Sequence, residues 1–126
     1  GSFERFMAIL IEQFSGAFPA WLSPVQAMVL PISEKQNKRA SEVLALLKEN
    51  GIRAELDDRN ESIGKKIREA EMDKAPYMII IGEKEVEAEK IAVRGRSQKD
   101  LGQMDPVKFL ETLKEEIGTR SIKPKI

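Results

Sequence analysis

Neither cysteine nor histidine occurs among the 126 residues. The first absence removes disulfides, iron–sulfur clusters and a thiolate nucleophile. The second removes an imidazole base, a Ser-His-Asp triad and histidine-ligated zinc. A net charge is missing as well, since 21 basic side chains face 21 acidic ones. The chain therefore has no overall field to draw in nucleic acid or an anionic membrane. No apolar run approaches the ~20 residues needed to span a bilayer. The N-terminus lacks the basic start and pure apolar stretch of a signal peptide. A soluble, cytoplasmic protein without a membrane partner is the expectation. Charged residues at 33% and apolar residues at 41% indicate a globular chain. Its length suits a single domain with one core.

What is present is a sequence of alternating elements. Residues 3–15 read as a helix, with Phe6, Ile9, Leu10 and Phe14 at helical spacing. Residues 16–24 contain Pro19 and Pro24 and read as a linker, pinned to a surface by Phe18, Trp21 and Leu22. Val25–Ile32 is a strand candidate. Ser33 with Gln36 forms a capping-box pattern opening a helix that carries Ala40, Val43, Leu44 and Leu47. Gly51 is placed to end that helix in a left-handed turn. Ile52, Ala54 and Leu56 alternate with charged residues, as in a half-buried strand. Ser62 or Asn60 caps a helix bearing Ile63, Ile67 and Ala70. Tyr77–Ile81 is continuously apolar, as in a strand covered on both faces. Gly82 then opens a turn into a short segment at Glu85–Glu87, and Ile91–Arg94 pairs back as a hairpin. Asp105 caps the last helix, Pro106 begins it, and Val107, Leu110, Leu113 and Ile117 form its stripe. The order is helix, linker, then β-α-β-α-β-β-α. Such alternation predicts an α/β sandwich with a mainly parallel sheet, whose ligands gather beyond the carboxyl ends of the strands.

No catalytic set is complete. Asp57 and Asp58 are adjacent carboxylates, but neighbours in a strand or turn point apart, and no further metal ligands lie nearby. Organisation of a turn accounts for them. The phosphate-binding patterns GxGxxG and GxxxxGK[ST] are absent. A cluster of Arg59, Asn60, Lys65, Lys66 and Arg68 crowds the start of a helix at the expected ligand end, with Glu85, Arg94 and Arg96 in the hairpin. These groups suit reading base edges in splayed single-stranded RNA. A solvated charged surface with ordinary salt bridges is the commoner origin of such a pattern.

Several motifs favour the first reading. Residues 1–6 (Gly-Ser-Phe-Glu-Arg-Phe) and 9–12 (Ile-Leu-Ile-Glu) resemble motif 3 of class II aminoacyl-tRNA synthetases. Phe18-Pro-Ala-Trp-Leu-Ser-Pro-Val-Gln26 resembles the linker that follows it in threonyl-tRNA synthetases. Residues 58–69 (Asp-Arg-Asn-Glu-Ser-Ile-Gly-Lys-Lys-Ile-Arg-Glu), Pro76–Gly82, Lys84-Glu-Val-Glu87, Ala92-Val-Arg94 and residues 99–105 resemble that family's C-terminal anticodon-binding domain in order and spacing.

The resemblance implies a mixed, mainly parallel five-stranded sheet flanked by helices and preceded by one helix. It implies a catalytic-domain remnant at 1–17, a linker at 18–25 and an anticodon-binding domain at 26–126. The implied partner is the anticodon loop of threonine tRNA, with its second and third letters, G and U, read by Asn60, Arg68, Glu85 and Arg94. Arg96, Lys65 and Lys66 are the expected phosphate contacts. Arg5 corresponds to the motif 3 arginine that contacts ATP. With the rest of that site absent, the fragment is expected to bind without catalysing and to carry no metal or other cofactor. ATP, magnesium and the threonine-selecting zinc belong to the parent's catalytic domain. The parent is expected to be a homodimer and the fragment a monomer. Two departures stand out: Ala88-Glu89 replaces the usual Gly-containing hairpin turn, which predicts another turn type, and Ser62 replaces a common lysine. The alternatives are a non-synthetase protein using this domain as an interaction scaffold and a small nucleotide-binding protein. The charge total also hides a mild asymmetry, for from Arg94 onward 8 basic groups face 5 acidic ones.

Overall fold

The computed structural model describes residues 18–96 and 99–120. The helix expected at 3–15, and Arg5 within it, lie outside the described residues. Five strands form one sheet: β1 (Ala27–Pro31), β2 (Ala54–Leu56), β3 (Tyr77–Ile81), β4 (Ile91–Gly95) and β5 (Asp100–Met104). Their spatial order is β2-β1-β3-β4-β5. β1 pairs in parallel with β2 and β3, whereas β3–β4 and β4–β5 are antiparallel. The sheet is mixed, as expected, and divides evenly between the two pairing modes. The helices are α1 (Asn37–Glu49), α2 (Ile63–Met72), α3 (Glu83–Ala88) and α4 (Pro106–Gly118).

Strand alternation sorts the core into two layers. Ala27, Val29, Tyr77, Ile79, Ile81, Ile91 and Val93 pack with Ala40, Val43 and Leu47 of α1 and Phe109, Leu110 and Leu113 of α4. Leu30 and Met78 face the other way, with Ala70 of α2 and the half-buried Ile63, Ile67 and Ile80. Two helices therefore cover one face and one helix the other. This two-sided cover is why Tyr77–Ile81 tolerates no alternation of polar residues. Tyr77 meets Phe109 edge-on, with ring centroids 5.7 Å apart and planes at 86°. Its hydroxyl donates to Glu116 Oε1 at 2.6 Å, deep in the protein.

The local signals act as their chemistry dictates. Gln36 Oε1 accepts from the backbone N–H of Ser33 at 2.9 Å, closing the capping box through a 3-10 turn ahead of α1. Beyond α1, Gly51 takes φ +78°. The N–H of Ile52 reaches back to Leu47 C=O and that of Gly51 to Lys48 C=O, the paired bonds of a Schellman ending. Ser62 accepts from the Lys65 N–H, and Asp105 from the Val107 N–H with Pro106 at the first helical position.

Three expectations need correction. The segment after Gly82 is a helix, α3, and not a hairpin arm. Glu83 and Glu85 favour its positive N-terminus, and Glu85 Oε2 accepts from the Gly82 N–H at 3.2 Å. A single valine gave it no apolar period to read. Ala88-Glu89 accordingly ends a helix, with Glu89 in the left-handed conformation. The true partner of β4 in the hairpin is β5, whose Asp-Leu-Gly-Gln-Met has little strand propensity and forms an edge with a register shift opposite Val93 and Arg94. In α4, Val107 is exposed and Phe109 fills the core instead.

Residues 18–25 are bonded to the domain, as their aromatic content suggested. Gln26 Nε2 donates to Ala20 C=O at 3.0 Å, and its Oε1 accepts from the Arg53 N–H at 2.8 Å. Arg53 donates to Ser23 C=O through Nε and Nη2. Arg120 lies 5.6 Å over the Trp21 ring. Among the described residues no helix is long and apolar enough to cross a membrane. Phe109→Ala should destabilise the domain by about 3–5 kcal/mol, because it removes a fully buried ring that packs edge-on against Tyr77 within the main core. Urea denaturation checks this.

Candidate nucleic-acid interface

The carboxyl ends of β1, β2 and β3 lie side by side, and the loop from β2 to α2 emerges there. Asp57 directly follows β2, and its N–H donates to Val29 C=O at 3.0 Å. Arg59 folds back on it, with Nε donating to Asp57 Oδ1 and Nη2 to Oδ2, each at 2.8 Å. Nη2 also meets a carboxylate oxygen of Glu69, one helical turn and more along α2. The hydrogen bonds from Arg59 hold the buried Asp57 carboxyl below its ordinary range, against the opposing effect of burial. Both acids in turn push the Arg59 guanidinium above its usual value. This pairing accounts for Asp57 structurally. Among the described residues no group of three or more acidic, histidine or cysteine side chains is arranged to hold a metal ion.

The fork leaves Asn60 at the tip. The Arg59 N–H reaches Asp57 Oδ1 at 3.3 Å, and the Glu61 N–H bonds to Arg59 C=O at 2.8 Å, an i to i+2 bond with Asn60 in the middle. Asn60 has no positive φ, so this is an inverse γ-turn. Its side chain is exposed, with the amide free of hydrogen bonds to the described residues. Arg68 is exposed on α2. Lys65 is half-buried and lies 3.3 Å from Glu61 in an ion pair. Glu85 starts α3 beyond the end of β3, with Oε2 on the Gly82 N–H.

Arg94 lies farther down, opposite Met78 in β3 and Asp100 in β5. Its neighbours Val93 and Gly95 sit on the α1/α4 side, so alternation turns Arg94 to the α2 side, where Ala92 also points. The register shift in β5 falls beside it. The N–H of Gly102 donates to Asp100 Oδ1 at 2.8 Å, and Gly102 takes φ +78°. Arg94 Nε is buried without a hydrogen-bond partner among the described residues. Asn60 and Glu85 thus lie beyond the carboxyl ends of the parallel strands, Arg68 is exposed on α2, and Arg94 lies on the α2 side of the sheet level with Met78 near the start of β3; no hydrogen bond joins any two of them.

Two expected phosphate contacts have other work. Lys66 is 3% exposed, and its Nζ donates to Pro31 C=O at 3.0 Å. Its expected role is corrected on that ground: the ammonium fastens α2 to the end of β1. Arg96 is half-buried and donates to Lys74 C=O at 2.8 Å, with Ser23 Oγ at 3.4 Å. Burial lowers its pKa, partly offset by Tyr77 and Glu116. Sequence reading missed Glu71, whose buried Oε1 also lacks a partner; no motif or spacing marks it. A cleft of about 330 Å3 runs between α2 and the β2 edge, lined by Met28, Leu56, Asp57, Arg59 and Glu69.

Known proteins share this architecture. A family model described as an anticodon binding domain matches residues 26–116. The threonine–tRNA ligase of Caldanaerobacter subterraneus is 52% identical over 122 residues, covering 97% of this chain and 19% of that protein. The threonine–tRNA ligase of Clostridium tetani is 54% identical with the same coverage. The chain therefore spans only 19% of the length of these curated relatives. Among solved structures, the RNA binding domain of threonyl-tRNA synthetase from Cryptosporidium parvum superposes with a TM-score of 0.83 at 34% identity, covering 89% of this chain and 28% of that one. Prolyl-tRNA synthetase from the same organism gives a TM-score of 0.70 at 27% identity, covering 81% of this chain and 23% of that one.

Lys66→Met keeps the apolar stem but leaves the Pro31 carbonyl unpaired, so it should cost ~1–3 kcal/mol of stability in urea denaturation. The Asp57–Arg59 pair also sets a pH dependence. A lowered carboxyl pKa contributes stability that is full above the unfolded value, near 3.8, and is lost as pH falls through the folded value. The stability gap between the parent chain and Arg59→Ala should therefore be full at about pH 6 and shrink below the unfolded value. Urea midpoints across that range measure it.

Proposed function

The chain belongs to the anticodon binding domain family, and on that premise we propose that it reads the anticodon loop of threonine tRNA as the C-terminal module of a threonine–tRNA ligase. The observation that carries this reading is Arg94, whose Nε is buried with no hydrogen-bond partner among the described residues, so that a ligand acceptor brought against the guanidinium would complete its bonding. A base edge supplies such a group, and an arginine fork matches the O6 and N7 acceptors of guanine.

The other three candidates fit the same chemistry. Asn60 offers a donor and an acceptor, which suits the Watson–Crick edge of uracil. Glu85 retains an oxygen to accept from a base N–H. Arg68 offers a second guanidinium fork to a base edge, and Lys65 and Arg96 are the candidates for phosphate contacts that fix register without carrying sequence information. The module binds and performs no chemistry of its own. In the parent ligase, ATP, magnesium and zinc would serve a catalytic domain that includes the motif 3 arginine, Arg5. The parent would work in the cytoplasm as a homodimer, with this module itself monomeric.

Arg94→Ala should weaken binding of a threonine anticodon stem-loop by roughly 1–3 kcal/mol and reduce its preference over mismatched loops. Fluorescence titration measures both. Unchanged affinity together with unchanged preference would remove Arg94 from the reading.

A further inference from the structure

We propose that Ile32 is an apolar platform on which one splayed base of the bound loop lays its face, between the polar groups of Asn60 and Glu85. The inference rests on the anticodon reading above and adds to it a residue that makes no hydrogen bond to a base edge.

A single exposed isoleucine on a protein surface is ordinary. The surroundings of Ile32 are less so. It follows Pro31 at the carboxyl end of β1, with its N–H bonded to Ile81 C=O at 3.0 Å. Alternation places its side chain on the α2 side of the sheet, after Met28 and Leu30. Leu30 is fully buried, whereas Ile32 remains 44% exposed. It stands where the core face runs out into the proposed RNA site.

Gly82 explains why the side chain lies where it does. A β-carbon at that position would come 2.6 Å from Ile32 Cδ1 and 3.1 Å from Glu85 Oε2. The missing side chain lets Ile32 lie over the strand end beside the Glu85 carboxylate. On its other flank, Ile32 lines one small pocket together with Arg59 and Asn60, whose wall also carries the acidic Glu34, Asp58 and Glu61. An apolar surface is therefore bordered by a free amide on one side and a carboxylate on the other. A nucleobase matches that arrangement: its face is apolar and its edge carries donors and acceptors. Single-stranded RNA is recognised by such a combination of face packing and edge bonding. A peptide side chain with an apolar body would fit the platform, but it would not use Asn60 and Glu85 together.

The test is a titration of the 126-residue chain with a threonine anticodon stem-loop and with two copies in which the second or third letter is abasic. Ile32→Ala should weaken binding of the intact loop about five- to tenfold. That loss should vanish on one of the abasic loops, because the base that packs on Ile32 is then already gone. Ile32→Val, which keeps most of the surface, should bind nearly as the parent does. Thermal unfolding confirms that the variants fold. If Ile32→Ala binds the intact loop as tightly as the parent while Asn60→Ala weakens it, the platform is refuted and the anticodon reading stands. An equal loss on all three loops likewise refutes the platform. If the parent chain shows no preference for the threonine loop over mismatched ones, the anticodon reading falls and takes this inference with it.

Discussion

A buried ammonium holds the functional end of this domain together. Lys66 reaches from α2 through the protein to the carbonyl of Pro31, where β1 stops. Its charge also helps hold Asp57 ionised at the neighbouring strand end. Arg59 then bridges Asp57 to Glu69 on the same helix. Lys66 and Asp57 have little access to water and would be costly without partners, and here Pro31 C=O takes the one and Arg59 the other. The result is a fixed relation among two parallel strands, one helix and the loop between them.

The anticodon reading proposed above depends on that fixed relation. The loop could not present Asn60 reproducibly if Asp57 and Arg59 were free to turn. As it stands, Arg59 is bonded to Asp57 and the Glu61 N–H to Arg59 C=O, which leaves the exposed Asn60 amide at the tip. The same logic applies at the sheet's other margin. The shifted register of β5 falls beside Arg94, and shifts of this kind commonly re-aim a side chain. Binding therefore requires little reordering of the protein, which lowers its entropic cost. With no net charge to attract RNA, the anticodon reading requires discrimination to come from placed contacts and not from bulk attraction.

Much of this was legible in the sequence because it rests on local chemistry. Ser33 with Gln36, Gly51, Ser62 and Asp105-Pro106 announce their helix ends through side chains that bond the nearest backbone groups. Tyr77–Ile81 announces two-sided burial. What escaped notice had no periodic apolar signal. The helix Glu83–Ala88 carries one valine among charged residues, and β5 owes its strand form to pairing with β4. Lys66 shows the limit most clearly. In the sequence it is one more cation beside Lys65, and a phosphate contact is a natural guess. Only the three-dimensional register of α2 against β1 turns one of the two inward to a carbonyl 35 residues away. The motif pattern named the candidate readers, and the fold adds which of them remain free to read.

The central claim is that the carboxyl edge of the sheet and its α2 face form one RNA surface. Backbone amide chemical shifts of the 15N-labelled chain, followed during titration with a threonine anticodon stem-loop, test it most directly. The account predicts the largest changes at Ile32, Asn60, Gly82 to Glu85 and Arg94, with α1 and α4 little affected. Changes concentrated on α1 and α4, or on the Trp21 segment, would contradict it.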